Sequence, residues 1–380
     1  MNVTYFLGAG ASSNCLPTMF DFNDRLRHFR DHLQTEISRS VEYFKVHSPT
    51  EPVEDIEERW IQEAKLLKEN IDKLLKEIYK HQTVDTLAKK YFIKNRPEDL
   101  FRLKTVLFTF FLYEQCSVSG IKELPDKRYD TFIASIIGKK INNIDLPSNI
   151  KFITWNYDLQ FELAFQEYSS LNINQIQDRL NCIPSYWTID KHSASKLDKF
   201  SIVRLNGVIG IPTLYPGEDF LKEAYLDNLK TAKKPFSELI KIYTEICVPI
   251  DRRKVFVNGL SFFNYDWEYQ QAFEENLYPN YDKRKEIAME ILKSTEILVI
   301  IGYSFPIFNR ETDSLLLKQL YPGKCKKIYI QDRVPDKILS RIKGFIPKEF
   351  IDLTFGDHRD EPYPFRLVSD LEQFILPDEL

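Results

Sequence analysis

Five short polar segments in this chain each follow an apolar, strand-like run, and their residue types could do chemistry together. Gly8-Ala9-Gly10-Ala11-Ser12 comes directly after Val3–Leu7. Small residues there would let a diphosphate approach backbone N–H groups and the positive end of a helix opening behind them. A plain structural turn is the competing reading. The G-x-G-x-x-G fingerprint is incomplete, since Ser13 holds its last position and no acid-ended second strand follows about 20 residues later. Thr154-Trp155-Asn156-Tyr157-Asp158 follows the second run. Residues two apart share a face of an extended chain, so Asn156 and Asp158 could meet one sugar or one carboxamide. Asp158 could equally cap the helix behind it. Trp155 and Tyr157 alternate to the other face and read as core. Asn206-Gly207, Gly302-Tyr303-Ser304-Phe305-Pro306 and Gln331-Asp332 end the remaining runs.

The elements that must position these segments are legible as a pattern. Strands are expected at Val3–Leu7, 150–155, 201–205, 254–257, Ile297–Ile301 and 326–330. Helices are expected between them at 159–167, 236–246, 267–275, 283–293 and 310–320. Alternation of this kind predicts an α/β fold with a parallel sheet, and solid apolar strands predict helices on both sheet faces. In such sheets ligands bind outside the carboxyl ends of the strands.

One domain is expected over residues 1–380, with a long helical insertion at about 20–149 after the first strand. Within it, Ile61, Ala64, Leu67, Ile71, Leu74, Leu75 and Ile78 fall at helical spacing. The charged remainder of that helix reads either as a solvated face or as an oligomer surface. The stretch after Pro347 is expected to be strand-poor and to pack back on the domain.

Composition bounds the function. Lys plus Arg is 52 against 56 Asp plus Glu, a net charge of −4 over 380 residues, which argues against direct nucleic-acid binding or an anionic membrane partner. Five cysteines, widely spaced and without a C-x-x-C pair, argue against a disulfide framework and a zinc module. No apolar run is long enough to cross a membrane and the start lacks a basic signal region, so a cytoplasmic protein is expected.

G-A-G-A-S, T-W-N-Y-D, R-L-N-G, I-G-Y-S-F-P and I-Y-I-Q-D occur here in the order used by sirtuin-like domains. The chain resembles the sirtuin-like NAD hydrolases of bacterial antiphage defence rather than the protein deacylases, whose paired zinc cysteines it lacks. The resemblance covers residues 1–20 and about 150–335. It implies a sirtuin-like Rossmann-type sheet and NAD+ as substrate, cleaved to ADP-ribose and nicotinamide without zinc or another metal. It implies a diphosphate at Gly8, Ala9, Gly10, Ala11 and Ser12. It places the adenosine ribose near Gly302, Tyr303, Ser304, Gln331 and Asp332, with Pro17 and Thr154 also lining the nucleotide. Asn156 would hold the nicotinamide end and the attacking water, with Asp158 as ribose or electrostatic partner. The family's histidine base before the Gly of R-L-N-G is replaced here by Asn206. By analogy, such an enzyme depletes NAD in abortive infection once released by oligomerisation or by a partner subunit: an ATPase, an Argonaute-like protein or a nucleotide-sensing protein. The alternative is a catalytically weak subunit that binds NAD, or a nucleotide derived from it, as a sensor or regulator.

Overall fold

The computed structural model describes residues 1–47, 55–81, 83–116, 125–140, 143–184, 197–210, 225–232, 235–247, 265, 267–268, 284–352 and 364–380. The chain is α/β, built on a seven-stranded, all-parallel sheet flanked by helices. Its strands are β1 (Val3–Leu7), β4 (Ile150–Thr154), β5 (Cys182–Ile183), β6 (Ser201–Arg204), β7 (Ile297–Ile301), β8 (Lys327–Gln331) and β9 (Phe365–Val368). A separate antiparallel hairpin pairs β2 (Gly138–Lys140) with β3 (Asn143–Asp145).

The sheet order is β5-β6-β4-β1-β7-β8-β9. On one side the chain therefore goes from β1 to β4, out to the edge strand β5 and back to β6 between them; it then returns to build outward on the other through β7, β8 and β9. That reversal at β1 and β7 is the switch point where open α/β sheets leave a crevice. Every residue of β1, β4 and β7 is buried, as expected for strands covered on both faces. Alternate residues serve two cores. Phe6, Ile153, Val203, Leu298 and Ile330 pack in one, while Tyr5, Leu7, Phe152, Ile202 and Val299 pack in the other.

The chain divides into two compact units. The sheet unit is residues 1–14, 125–208 and 264–380; the helical unit is residues 15–124 and 209–263. The helical region expected at about 20–149 is thus shared. Its last part, including α5 (Lys127–Ile136) and the hairpin, belongs to the sheet unit, and a second segment completes the helical unit. That unit contains α1 (Phe22–His47), α2 (Asp55–Ile78), α3 (Val84–Ile93), α4 (Pro97–Glu114) and the helices Tyr225–Thr231 and Pro235–Cys247. Along α2 the expected stripe of Ile61, Ala64, Leu67, Ile71, Leu74 and Ile78 is buried, and Leu75 is half-buried at its margin. Pro97 opens α4 at the one helical position where its missing N–H leaves no bond unmade.

Four strands lie outside the expected set: β5, β9 and the two of the hairpin. β9 corrects the strand-poor reading of the C-terminal stretch. The chain beyond it does pack back, with Tyr329 Oη donating to Glu379 at 2.8 Å and Tyr5 Oη to the Ile375 carbonyl at 3.1 Å. The strand expected at 254–257 and most of the helix expected at 267–275 lie outside the described residues. Among the described residues no helix is long and apolar enough to cross a membrane.

Candidate active site

Strand register alone brings the polar segments to one line. Arg204 pairs with Thr154, Thr154 with Leu7, Leu7 with Ile301, and Ile301 with Gln331, so five carboxyl ends lie in one row across the sheet. The ladder continues one residue past that row. Leu205 N–H donates to the Thr154 carbonyl at 2.9 Å, Trp155 N–H to Leu7 at 3.1 Å, Gly8 N–H to Ile301 at 3.1 Å, and Gly302 N–H to Gln331 at 3.1 Å. The segments after it must therefore leave the sheet side by side.

The turns after β1 and β7 then touch. Gly10 N–H donates to the Gly302 carbonyl at 2.9 Å, and Gly302 holds φ at +58°. A Cβ on Gly10 would lie 2.7 Å from the Gly302 Cα, and one on Gly302 would lie 2.4 Å from the Gly10 carbonyl carbon. The glycines are thus needed for backbone to meet backbone at the switch point, whatever else binds there. Residues Ala9–Ser12 make one 3-10 turn, and α1 begins only at Phe22, so no helix opens directly behind the turn as the residue pattern suggested. Ala9 is exposed and Gly10 half-buried, while Gly8, Ala11 and Ser12 are buried.

Next to this turn, the end of β4 carries the polar cluster of the site. The Asn156 side-chain nitrogen donates to the Gly8 carbonyl at 2.9 Å and to Ser12 Oγ at 3.3 Å. Ser12 Oγ donates to Asp158 Oδ2 at 2.8 Å and lies 2.9 Å from Tyr129 Oη. Gln160 N–H donates to Asp158 Oδ1 at 3.1 Å, a local turn bond two residues on; the N-cap of the helix Gln160–Gln166 is Leu159, so Asp158 does not occupy the capping position that its residue type allowed. Thr154 Oγ1 accepts the Asn156 N–H at 2.9 Å, which fixes the backbone as it leaves the strand. Asp158 is only 7 % exposed, and both its oxygens are engaged within the protein. Burial pushes its carboxyl above the ordinary carboxylate range, against the opposing bonds from Ser12 and the Gln160 N–H. Burial also raises the Tyr129 phenol, with the nearby Asp158 adding to it, so that group stays protonated.

The other expected residues divide clearly. Asn206 is half-buried after β6, and its side-chain nitrogen donates to the Trp155 carbonyl at 3.5 Å, beside Asn156. Gly207 turns the chain at φ +82°. Ser304 is exposed, and its carbonyl accepts from Arg341. Tyr303 faces the core, donating to Asp313 Oδ2 at 2.8 Å. Gln331 is buried and ties down the C-terminal segment: its nitrogen donates to the Asp370 and Gln373 carbonyls at 2.6 Å, and its oxygen accepts the Ile375 N–H at 3.1 Å. Asp332 accepts the Val334 N–H at 2.9 Å ahead of the next helix. Pro17 belongs to the helical unit. Register brings Gly8 to Ser12, Asn156, Asp158 and Asn206 together; Tyr303 and Gln331 are committed to packing instead.

Several residues of the site carried no signal in the sequence. Tyr129 stands on α5, and the buried Arg128 beside it donates to the Ala11 carbonyl at 2.9 Å while pairing with Asp126 at 2.6 Å. Asp126 also caps α5 by accepting the Arg128 N–H at 3.0 Å, so helix start and turn anchor are one structure. At the β6 end of that row, Arg204 forms a buried ion pair with Glu162 at 2.7 Å. Burial works against the Arg204 charge, but Glu162 beside it more than restores it. Among the described residues no group of histidine, cysteine and acidic side chains is arranged to hold a metal.

Compared with protein-family models, curated proteins and solved structures, the chain matches none.

Proposed function

We propose that this chain is an NAD+ hydrolase that breaks the bond between nicotinamide and ribose and gives ADP-ribose. One observation carries the reading. Asn156 stands half-buried at the row of strand ends, with both hydrogens of its amide nitrogen taken and its oxygen without a partner among the described residues. With no donor to it among the described residues, such an oxygen is open to a ligand or water, and a ribose hydroxyl, a nicotinamide amide or an attacking water all offer the donor. The glycosidic bond breaks with its electron pair leaving on nicotinamide, which is neutral once released. Positive charge develops on the ribose, and water adds at that carbon with loss of a proton. An acceptor dipole fixed in place beforehand stabilises that charge without reorganising. The diphosphate would lie against the turn at Gly8 to Ser12, and the adenosine end towards Ser304.

Asp158 supports this chemistry from behind, because its oxygens are already engaged. Asn206 cannot take a proton at neutral pH. General-base help is typically worth about 10²–10⁴-fold, so turnover by this chain should be slow. A role as an NAD-depleting defence effector fits such a restrained enzyme, released by oligomerisation or by a protein partner. The second reading, an NAD-binding regulatory subunit, rests on Asn206 standing where the resembled family carries its histidine.

The test is nicotinamide release from NAD by the purified chain, alone and with the product of a neighbouring gene. Asn156→Ala should lower the rate on the order of 10²-fold with thermal unfolding nearly unchanged. Asn206→His should raise it. A stable Asn156→Ala protein of full activity would sink the assignment. NAD that raises the melting temperature but is never cleaved would move the chain to the second reading.

A further inference from the structure

We infer that Tyr129, acting through Ser12, is a positioning residue that fixes which end of the Asn156 carboxamide is left open to a ligand. The inference rests on the proposed role of Asn156 and goes beyond it, because Tyr129 comes from a different element and touches neither Asn156 nor the open acceptor in any bond described above.

The donors and acceptors of Ser12 and Asn156 admit one arrangement. A serine hydroxyl has one hydrogen to give and two lone pairs to receive with. Ser12 gives its hydrogen to Asp158 Oδ2 at 2.8 Å. With Asp158 as the carboxylate, the 2.9 Å contact between Ser12 and Tyr129 runs from the phenol to the serine, and that phenol is held in its protonated form. One lone pair is left, and it accepts the Asn156 amide at 3.3 Å. The second Asn156 hydrogen goes to the Gly8 carbonyl at 2.9 Å, an atom that can only accept. Every hydrogen-bonding position of Ser12 and of the Asn156 nitrogen is thereby used, and the Asn156 oxygen is the one left over.

Tyr129 is the residue that makes this arrangement single-valued. Without its hydroxyl, Ser12 keeps a spare lone pair and can rotate, and the bond holding the Asn156 nitrogen loosens. The phenol is itself held firmly. Tyr129 is 1 % exposed, its ring packs edge-on against Phe161 and Phe374, and the neighbouring Arg128 anchors the Ala11 carbonyl one residue before Ser12.

The experiment compares Tyr129→Phe and Ser12→Ala with the parent, and uses Tyr168→Phe as a control that removes the hydroxyl by which exposed Tyr168 bonds Asp130. Tyr129→Phe should lower kcat roughly threefold to tenfold, the effect of one neutral hydrogen bond, with KM for NAD unchanged. Ser12→Ala should lower it further, and the control should match the parent. A raised KM with unchanged kcat would overturn the inference, since Tyr129 and Ser12 would then be acting on bound NAD directly. Hydrogen exchange at the Asn156 side-chain amide, followed by selective nitrogen labelling, reads the same positioning without turnover. It should be faster in both variants than in the parent and the control. If the parent releases no nicotinamide, the NAD reading fails while the exchange result still decides this one; equal exchange rates in all four proteins overturn it.

Discussion

The two units place their buried polar groups differently. In the helical unit, Thr105 donates to the Arg102 carbonyl at 2.9 Å, Thr109 to Thr105 at 2.9 Å, and Gln115 to Phe111 at 3.2 Å, each within one turn of its own helix. Around them the interior is aromatic, with Phe22 packed edge-on to Phe110 and Phe29 tilted against Tyr113. In the sheet unit the buried polar groups join distant segments, Ser12 to Asp158, Arg128 to Ala11 and Arg204 to Glu162, and half-buried Asn156 reaches Gly8 in the same way. A bond within one turn is satisfied wherever the helix forms. A bond between segments 42 to 148 residues apart is satisfied only if the whole edge assembles, and an unmet buried group costs its full desolvation. The helical unit has long-range polar contacts too, such as Asn70 to Tyr243 and Arg25 to Glu114, but those lie on separate helices and do not converge on one point. Convergence is what marks the sheet edge as a site.

Breaking the deepest of these contacts should have the largest effect. Glu162→Ala leaves Arg204 charged, 1 % exposed and unpaired, with one of its nitrogens already lacking a partner among the described residues. The expected loss is about 3–5 kcal/mol in urea unfolding. The exposed pair of Arg59 and Glu63 on α2, at 2.9 Å, sets the contrast, and Arg59→Ala should cost under about 0.5 kcal/mol. Equal losses at the two sites would dissolve the distinction between the units.

The switch point gives the next largest effect. Gly302→Ala meets both a left-handed φ of +58° and backbone atoms 2.4 Å away, and neither the Gly10 turn nor the β-ladder can yield easily. A loss of about 1–3 kcal/mol is expected, with affinity for the proposed substrate NAD falling as the turn shifts. The same change at Gly138, where a Cβ would sit an ordinary 3.7 Å from the Asp145 Cβ, should be within about 0.5 kcal/mol of neutral. Thermal unfolding of the two variants is the comparison that decides it.

These contrasts also explain what could be read from residue order. β1, β4, β6, β7 and β8 are apolar runs four or five residues long, and their position beside small or polar residues was enough to line up Gly8, Asn156, Asn206 and Gly302. β5 is two residues long, and β9 is an edge strand with an exposed Arg366, so neither carries a buried period to read. Tyr129 and Arg128 sit in a charged helical stretch where only the tertiary fold distinguishes a buried guanidinium from a solvated one. Gln331 was legible as a strand-end amide, but its commitment to Asp370, Gln373 and Ile375 depends on where the chain returns 39 to 44 residues later. Spacing along a strand reports which residues share an edge. It does not report which of them the rest of the chain will occupy.

Two aspartates give the finest form of the comparison, because their effects on stability run oppositely with pH. Burial raises the Asp158 carboxyl above its ordinary 3.8, so the folded chain holds that proton more tightly than the unfolded one. Its contribution is fully present below the ordinary carboxylate range and is lost as pH rises through the raised value. Asp158→Asn should therefore flatten a fall in stability on the alkaline side of that range. Asp72 on α2 is also partly desolvated, but Lys68 at 2.9 Å and Arg30 at 3.3 Å outweigh the burial and hold its carboxyl below the usual value. Its contribution is present above the ordinary range and is lost as pH falls through the lowered value. The pair is about 28 % exposed, so screening keeps the whole effect under about 1 kcal/mol. Asp72→Asn should remove a small acid-side loss and leave the Asp158 limb untouched, which urea titrations across acidic pH would resolve. If both variants flatten the same limb, the polar cluster at the sheet edge is more solvated than its bonds imply, and Asn156 loses the fixed surroundings its proposed role requires.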